Sequence, residues 1–104
     1  MRQVLIGDVI AAARSLLEVP PSERRAAISK MLYRAHIADK VMKRTGLPHR
    51  KWGNGSLMAA AFPKPRQEEP FFSNLDYLHA MRLIIEQLIA WKQVRQPSIQ
   101  RHDA

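Results

Sequence analysis

The longest run of helical periodicity in the chain limits the fold more than any other feature. Residues 22–44 contain neither glycine nor proline, and they lie between Pro20-Pro21 and the Gly46-Leu47-Pro48 segment. Apolar residues recur along this run at helical spacing, which predicts one amphipathic helix of about six turns with Ser22 as its N-terminal cap. The predicted buried face consists of Ala27, Ile28, Met31, Leu32, Ala35, Ala38 and Met42.

Two further stretches show helical periodicity. Asp8 is the predicted cap of a helix that continues to Val19, where Pro20 ends it. The last helix is predicted to begin at the Ser73 cap and to end before Pro97. Its apolar positions span a wide arc, which indicates burial on more than one side, either at the centre of a bundle or across a dimer seam. Those positions are Tyr77, Leu78, Met81, Ile84, Ile85, Leu88, Ile89 and Trp91.

A stretch with strong turn chemistry, residues 45–62, separates the long helix from the rest. Gly46 is the predicted left-handed residue that follows the helix end, and Gly53-Asn54-Gly55 gives the backbone freedom to turn. Ser56 is the predicted cap of a short helix over Leu57–Phe62.

These segments predict an all-α fold, a small helical bundle of three main helices plus one short helix. No strand-like alternation lasts long enough to predict a sheet. The chain has 104 residues, enough for one modest core, and the predicted domain covers residues 1–96. Residues 97–104 are predicted to form a flexible C-terminal tail.

Positive charge is concentrated around the turn-rich stretch. The net charge is +8, and between Lys40 and Lys51 there are five basic residues and no acidic one. A glycine turn that leads into a helix N-terminus among cations suits a phosphate or carboxylate, and Trp52 can stack on a base. The alternative, a tight connection in which Trp52 fills the gap between helices, is favoured because Gly-x-Gly alone is a weak motif. The candidate anion or nucleic-acid contacts are Lys40, Lys43, Arg44, His49, Arg50, Lys51, Trp52, Gly53, Asn54, Gly55 and Ser56.

A second apolar ridge, formed by Tyr33, Ile37 and Val41, runs among the basic residues of the long helix. Such a ridge needs a partner of its own, which is another helix of the domain, the returning loop with Trp52, or a second subunit. The ridge predicts a non-enzymatic protein-interaction or adaptor module that binds a protein partner, with a homodimer as one form. The alternative is a basic nucleic-acid-binding protein that contacts mostly phosphates and has weak sequence specificity.

Several kinds of chemistry find no support in the sequence. There is no cysteine, so a thiol nucleophile, a disulfide framework and a thiolate zinc site are excluded. The four histidines show no metal-ligand spacing, and no motif assembles a nucleophile, a base and an orienting group. We therefore expect no enzyme activity, no metal and no cofactor. No stretch is apolar enough to span a membrane and no signal peptide is recognised, so the predicted location is the cytoplasm.

A set of short segments gives the chain a recognisable pattern. They are Leu5-Ile6-Gly7-Asp8-Val9, Leu17–Pro20, Thr45-Gly46, Trp52–Ala61, Glu69-Pro70-Phe71 and Asp76-Tyr77. With them the chain resembles, over roughly residues 1–92, a family of short and functionally uncharacterised bacterial proteins. The resemblance implies one compact domain, and it brings no substrate, cofactor or catalytic residue with it.

Overall fold

The structure, a computed structural model, describes residues 1–95. It contains four α-helices, and a short 3-10 turn at Pro21–Glu23 precedes the second of them. The helices are α1 (Ile6–Leu16), α2 (Arg24–Thr45), α3 (Leu57–Ala60) and α4 (Leu75–Arg95). No strand occurs in the described part of the chain, and the all-α prediction of three main helices and one short helix is confirmed. The predicted tail, residues 97–104, lies outside the described residues.

One hydrophobic core joins the three long helices and α3. Helix α1 packs against α4 and α3, while α2 packs against α3 and α4. The predicted buried face of α2 is largely correct, because five of its seven members are buried and only Ala27 and Met42 are half-buried. The core residues are Val9, Ala12, Ala13, Leu16, Ile28, Met31, Leu32, Leu57, Ala61, Tyr77, Ala80 and Ile84.

The predicted caps of the long helices are wrong by one to three positions. Helix α1 begins at Ile6, so Asp8 lies inside its first turn. Ser22 falls within the 3-10 turn that Pro21 initiates, and α2 follows it without a side-chain cap. At α4 the cap is Asn74 rather than Ser73, because the Asn74 side-chain oxygen accepts a hydrogen bond from the Tyr77 N–H at 3.0 Å.

The ends of α1 and α3 come earlier than predicted. Helix α1 ends at Leu16, and 3-10 hydrogen bonds tighten the chain from there to Val19, as expected before Pro20. Helix α3 ends at Ala60 rather than Phe62. In contrast, the predicted end of the long helix is correct within one residue, and Gly46 takes the left-handed conformation with φ of 75°.

An ion pair between distant residues joins the start of α2 to the start of α4. The buried Arg24 guanidinium donates to both carboxylate oxygens of Asp76, at 2.7 and 3.1 Å, and its Nε donates to the Val19 carbonyl. The hydrogen bonds from Arg24 lower the pKa of Asp76 from its ordinary value. The bidentate geometry therefore holds the two helix starts together at the edge of the core.

Candidate functional site

The turn between α2 and α3 is closed by its own hydrogen bonds. His49 and Gly53 exchange two backbone hydrogen bonds, at 2.8 and 3.2 Å, across a tight loop. Within this loop, the Nδ1 atom of His49 accepts hydrogen bonds from the backbone N–H groups of Lys51 and Trp52, each at 3.0 Å. The backbone and the Nδ1 atom of His49 thus shape the loop.

The N-terminus of α3 already has an anion, and it comes from α1. Ser56 caps α3 as predicted, since its Oγ accepts from the Ala59 N–H at 3.1 Å. A second backbone donor at this helix start, the Met58 N–H, donates to the Asp8 carboxylate at 2.9 Å. The other Asp8 oxygen accepts from the Leu5 N–H at 2.8 Å, and Asp8 is buried. The Asp8 carboxylate therefore occupies the position at this helix start where an external anion would bind.

Trp52 is part of the packing between the turn and α2. Its indole ring stacks on His49 with 4.5 Å between ring centroids, and the Arg34 guanidinium lies over the ring at 5.5 Å. Trp52 is half-buried. These contacts are the ones expected of a tight connection in which Trp52 fills a gap beside α2.

Gly55 lies directly against the backbone of α2. A Cβ atom at Gly55 would stand 2.7 Å from the Asp39 Cα, and the Gly55 φ is +97°. The Gly55 carbonyl accepts a hydrogen bond from the Arg2 N–H at 2.8 Å. This close approach brings the turn, the N-terminal segment and α2 together at one point.

Asp39 is the buried carboxylate at that point. Its Oδ2 atom pairs with the Met1 ammonium group at 3.2 Å and with Lys43 at 3.0 Å. Burial alone raises the pKa of Asp39, but the hydrogen bonds from these two ammonium groups outweigh it and hold the pKa below its ordinary value. Lys43, a predicted anion contact, is therefore already paired.

The other predicted cations lie on the second half of α2 and in the turn. Lys40, Arg44, Arg50 and Lys51 are all exposed. Among residues 1–95 none of these four lies within ion-pair distance of an acidic group. Asn54 belongs to the turn itself, because its side-chain oxygen accepts from the Ser56 N–H at 3.1 Å.

The predicted interface ridge of α2 is only partly exposed. Tyr33 is exposed, whereas Ile37 and Val41 are half-buried. Tyr33 and Trp52 line a shallow apolar depression together with Ser29, Lys30 and Arg34. The ridge thus offers one exposed apolar side chain, that of Tyr33.

A larger uncovered apolar surface lies on α4. The helix buries a narrow stripe that contains Tyr77, Ala80 and Ile84. The sequence predicted that these apolar residues are buried, either in a bundle or across a dimer seam. The core of the single chain does not bury Leu78, Ile85 and Ile89, because each of them is about half exposed. Together with Leu75 they form an apolar stripe beside the core face, which we call the α4 stripe. The width of the apolar arc was the signal in the sequence, but the sequence did not show which side of the arc the core would cover.

Two features are absent from the described part of the chain, a metal-binding group of side chains and a membrane-spanning helix. Among residues 1–95, no three or more His, Asp or Glu side chains are grouped so that they can hold a metal ion. In the same region, no helix combines the length and the apolar character needed to cross a membrane.

Residues 1–95 define a small all-α domain with an internally bonded glycine turn and an uncovered apolar stripe on its last helix. A family model described as a domain of unknown function, DUF7742, matches residues 2–88, and the chain belongs to this family. The match confirms the resemblance to a functionally uncharacterised family, while the implied bacterial origin stays a prediction. No curated protein and no solved structure matches the chain significantly.

Proposed function

We propose that this protein is a non-enzymatic protein-interaction module that associates with a second copy of itself through the α4 stripe. The observation that supports the proposal is the exposure of Leu75, Leu78, Ile85 and Ile89, at 65%, 41%, 48% and 52%. A contiguous apolar surface on one helix face is typical of a contact with another protein surface. Phe71 and Phe72, just before the helix, are exposed as well.

The spacing of the α4 stripe suits a partner helix. Residues 75, 78, 82, 85 and 89 are separated alternately by three and four positions, which is the a/d pattern of helix pairs. In an antiparallel pair centred near Arg82, Leu75 of one copy meets Ile89 of the other, and Leu78 meets Ile85. The same surface is then used on both copies, as two-fold symmetry requires.

The two Arg82 side chains meet near the centre of this pair, but each is paired with a carboxylate of its own helix, which reduces their repulsion. Arg82 is the basic residue within the stripe, and its Nε donates to Glu86 of the same helix at 2.8 Å. The four cations that have no acidic partner within residues 1–95 lie elsewhere in the fold, Lys40 and Arg44 on α2 and Arg50 and Lys51 in the turn that follows it. Two copies that each carry +8 repel one another at long range, so added salt should strengthen the dimer.

The size of the stripe indicates a weak dimer. Helix α4 has 21 residues. One face of a helix about 30 Å long gives on the order of 400 Å² per copy, hence about 800 Å² for the pair, which is below the size of a standard stable interface. We therefore expect dimerisation at micromolar rather than nanomolar concentration.

Sedimentation velocity across micromolar concentrations tests the proposal. The protein should change from monomer to dimer as its concentration rises, and Ile85→Glu should weaken the dimer at least tenfold, because a carboxylate would be buried at the seam. The Ile85→Glu variant should keep the helical circular dichroism of the parent protein, since residue 85 is half-exposed in the monomer.

Val94→Glu is the matched control. Val94 is 77% exposed on the same helix, and nine residues at about 100° each place it opposite Ile85. It should leave the dimer unchanged. A monomer at every concentration, or a dimer lost with Tyr33→Glu but not with Ile85→Glu, would refute the α4 assignment; the second result would assign the interface to the α2 ridge.

The alternative function, nucleic-acid binding, has one favourable observation. Lys40, Arg44, Arg50 and Lys51 are exposed and have no acidic partner within residues 1–95. Trp52 offers less, because His49 already stacks on its ring. Contact would therefore go mainly to phosphates.

The salt dependence of binding distinguishes nucleic-acid binding from self-association. Anisotropy titrations into labelled random DNA and RNA, at about 50 mM and about 200 mM salt, should show affinity that falls steeply with salt if nucleic acid is bound. The double variant Arg44→Glu and Lys51→Glu should then abolish binding. If no binding occurs at the lower salt, the cations are a solvated face and the alternative fails.

A further inference from the structure

Two apolar depressions lie next to each other along one side of α2. The first has a volume of about 380 Å³ and lies between α2 and the Phe62-Pro63 segment that follows α3. The second has a volume of about 430 Å³ and lies between α2 and Trp52. Lys30 and Arg34 line both depressions, so the two form one continuous surface, which we call the α2 groove.

The apolar part of the α2 groove is open to solvent. Phe62 lines the first half and is 62% exposed, and Tyr33 lines the second half and is 57% exposed. Exposed apolar side chains grouped in one place are typical of a contact with another protein, and aromatic residues often supply much of the binding energy there. Each half of the groove therefore offers one aromatic ring against which an apolar side chain of a partner can pack.

Two cations lie where the halves of the groove meet. Lys30 is exposed and Arg34 is half-buried, so both side chains are accessible to a partner. The Arg34 guanidinium lies over the Trp52 ring at 5.5 Å, a contact that positions it without using its N–H donors. Among residues 1–95 neither Lys30 nor Arg34 lies within ion-pair distance of an acidic group. A carboxylate from outside the described chain can therefore pair with both.

We propose that the α2 groove binds an acidic amphipathic segment of another protein. The segment packs apolar side chains against Phe62 in one half and against Tyr33 in the other, as in helix-in-groove recognition. A carboxylate between these side chains accepts hydrogen bonds from Arg34 and pairs with Lys30. The groove and its partner are then complementary in charge as well as in apolar surface. The groove contains no residue of the α4 stripe, so this contact is separate from the proposed self-association.

The walls of the groove favour a protein segment over a nucleic acid. A nucleic acid would bring phosphates to Lys30 and Arg34, but its backbone has no apolar side chains to cover Phe62 and Tyr33. Glu23 also lines the first half, and its carboxylate would repel a phosphate. A protein segment avoids this repulsion when it carries a neutral or basic residue beside Glu23.

The fluorescence of Trp52 provides a direct test. The chain has two tryptophans, so Trp91→Phe leaves Trp52 as the single tryptophan of the full-length protein. Its emission should change saturably when a capped peptide of two Leu-Glu-Glu-Leu-Leu-Glu-Glu repeats is added, with a Kd on the order of 100 µM because the contact is small. A peptide with glutamine in place of every glutamate should bind about fivefold more weakly.

Variants in the same Trp91→Phe background locate the binding surface. Lys30→Glu should weaken peptide binding about fivefold, because it replaces an attraction by a repulsion. Arg25→Glu is the matched control, since it makes the same charge reversal at an exposed residue of α2 outside the groove, and it should have less than about a twofold effect. Phe62→Ser should weaken binding about tenfold, because it removes an apolar contact. All three positions are exposed, so each variant should keep the helical circular dichroism of the parent.

Ile85→Glu distinguishes this proposal from self-association, because it changes the α4 stripe and should leave peptide binding unchanged. The proposal is overturned if the peptide causes no saturable change, if the glutamine peptide binds equally well, or if Arg25→Glu weakens binding as much as Lys30→Glu. Loss of binding with Ile85→Glu but not with Lys30→Glu would assign the peptide to the α4 stripe. A shift of the monomer–dimer midpoint by Lys30→Glu would assign the groove to a second copy of the chain. Tighter binding of labelled random DNA than of the peptide, lost with Lys30→Glu, would assign it to nucleic acid; each of these three results also overturns the proposal.

Discussion

Gly55→Ala is expected to destabilise the fold by about 2–4 kcal/mol, the largest effect predicted for a single methyl group. The alanine must adopt a φ of +97°, and its Cβ would stand 2.7 Å from both Cα and Cβ of Asp39. The left-handed backbone costs about 1 kcal/mol, and forcing atoms into a packed contact costs about 1–3 kcal/mol more. The free energy of unfolding of a native domain is roughly 5–15 kcal/mol in total. Urea unfolding followed by circular dichroism at 222 nm should therefore show a greatly lowered midpoint.

The Gly46→Ala variant distinguishes the two causes of that loss of stability, the strained backbone and the close atomic contact. Gly46 also has a positive φ, 75°, but an added Cβ there would meet nothing within 4 Å. Gly46→Ala should therefore lower the free energy of unfolding only by the cost of the backbone strain, about 1 kcal/mol. If Gly55→Ala costs no more than Gly46→Ala, the close approach between the turn and α2 is not a feature of the folded protein.

Asp8→Ala is expected to cost about 2–3 kcal/mol. One carboxylate accepts from the Leu5 and Met58 N–H groups, so its removal leaves two donors at the starts of α1 and α3 without an acceptor. Each lost cap is worth about 1 kcal/mol, and burial raises the cost of an unpaired donor. Asp8→Asn keeps one acceptor oxygen and should cost about half as much. Amide hydrogen exchange at Met58 should accelerate in both variants.

Glu23→Ala is the matched comparison for Asp8. Glu23 is also an acidic residue at a helix start, but it is exposed and forms no capping hydrogen bond. Its loss should change the free energy of unfolding by less than about 0.5 kcal/mol. Equal costs for Asp8→Ala and Glu23→Ala would mean that the double cap contributes nothing measurable.

The candidate site was predicted in its residues better than in its chemistry. Glycines 53 and 55 and the Ser56 cap identified a turn that enters a short helix, and the structure has both. The sequence suggested an external anion at the helix start as one interpretation, beside the favoured tight connection. It did not reveal the actual acceptor, Asp8, which lies 50 residues away from Met58. The order of residues along a chain carries no direct signal for such a pairing.

The same limit applies to the apolar surfaces. Helical spacing correctly marked which residues of α4 are apolar, and it indicated more apolar area than one core contact needs. It put Ile84, Ile85 and Ile89 on one wide apolar arc, whereas the core covers Ile84 together with Ala80 and leaves Ile85 and Ile89 about half exposed. A periodic pattern defines a face only relative to its own axis, so the rotation of α4 against α1 decides which part of a wide arc is covered.

By itself the sequence determined the local structure: the all-α fold and, to within a few residues, where the helices begin and end. It could do so because proline, glycine and capping residues act on the backbone within one turn of their own position. Only the tertiary structure decided that Asp8 caps α3, that Arg24 joins Asp76, and that the α4 stripe stays uncovered. These features depend on residues brought together from distant parts of the chain, and the packing of the helices against one another sets their distances.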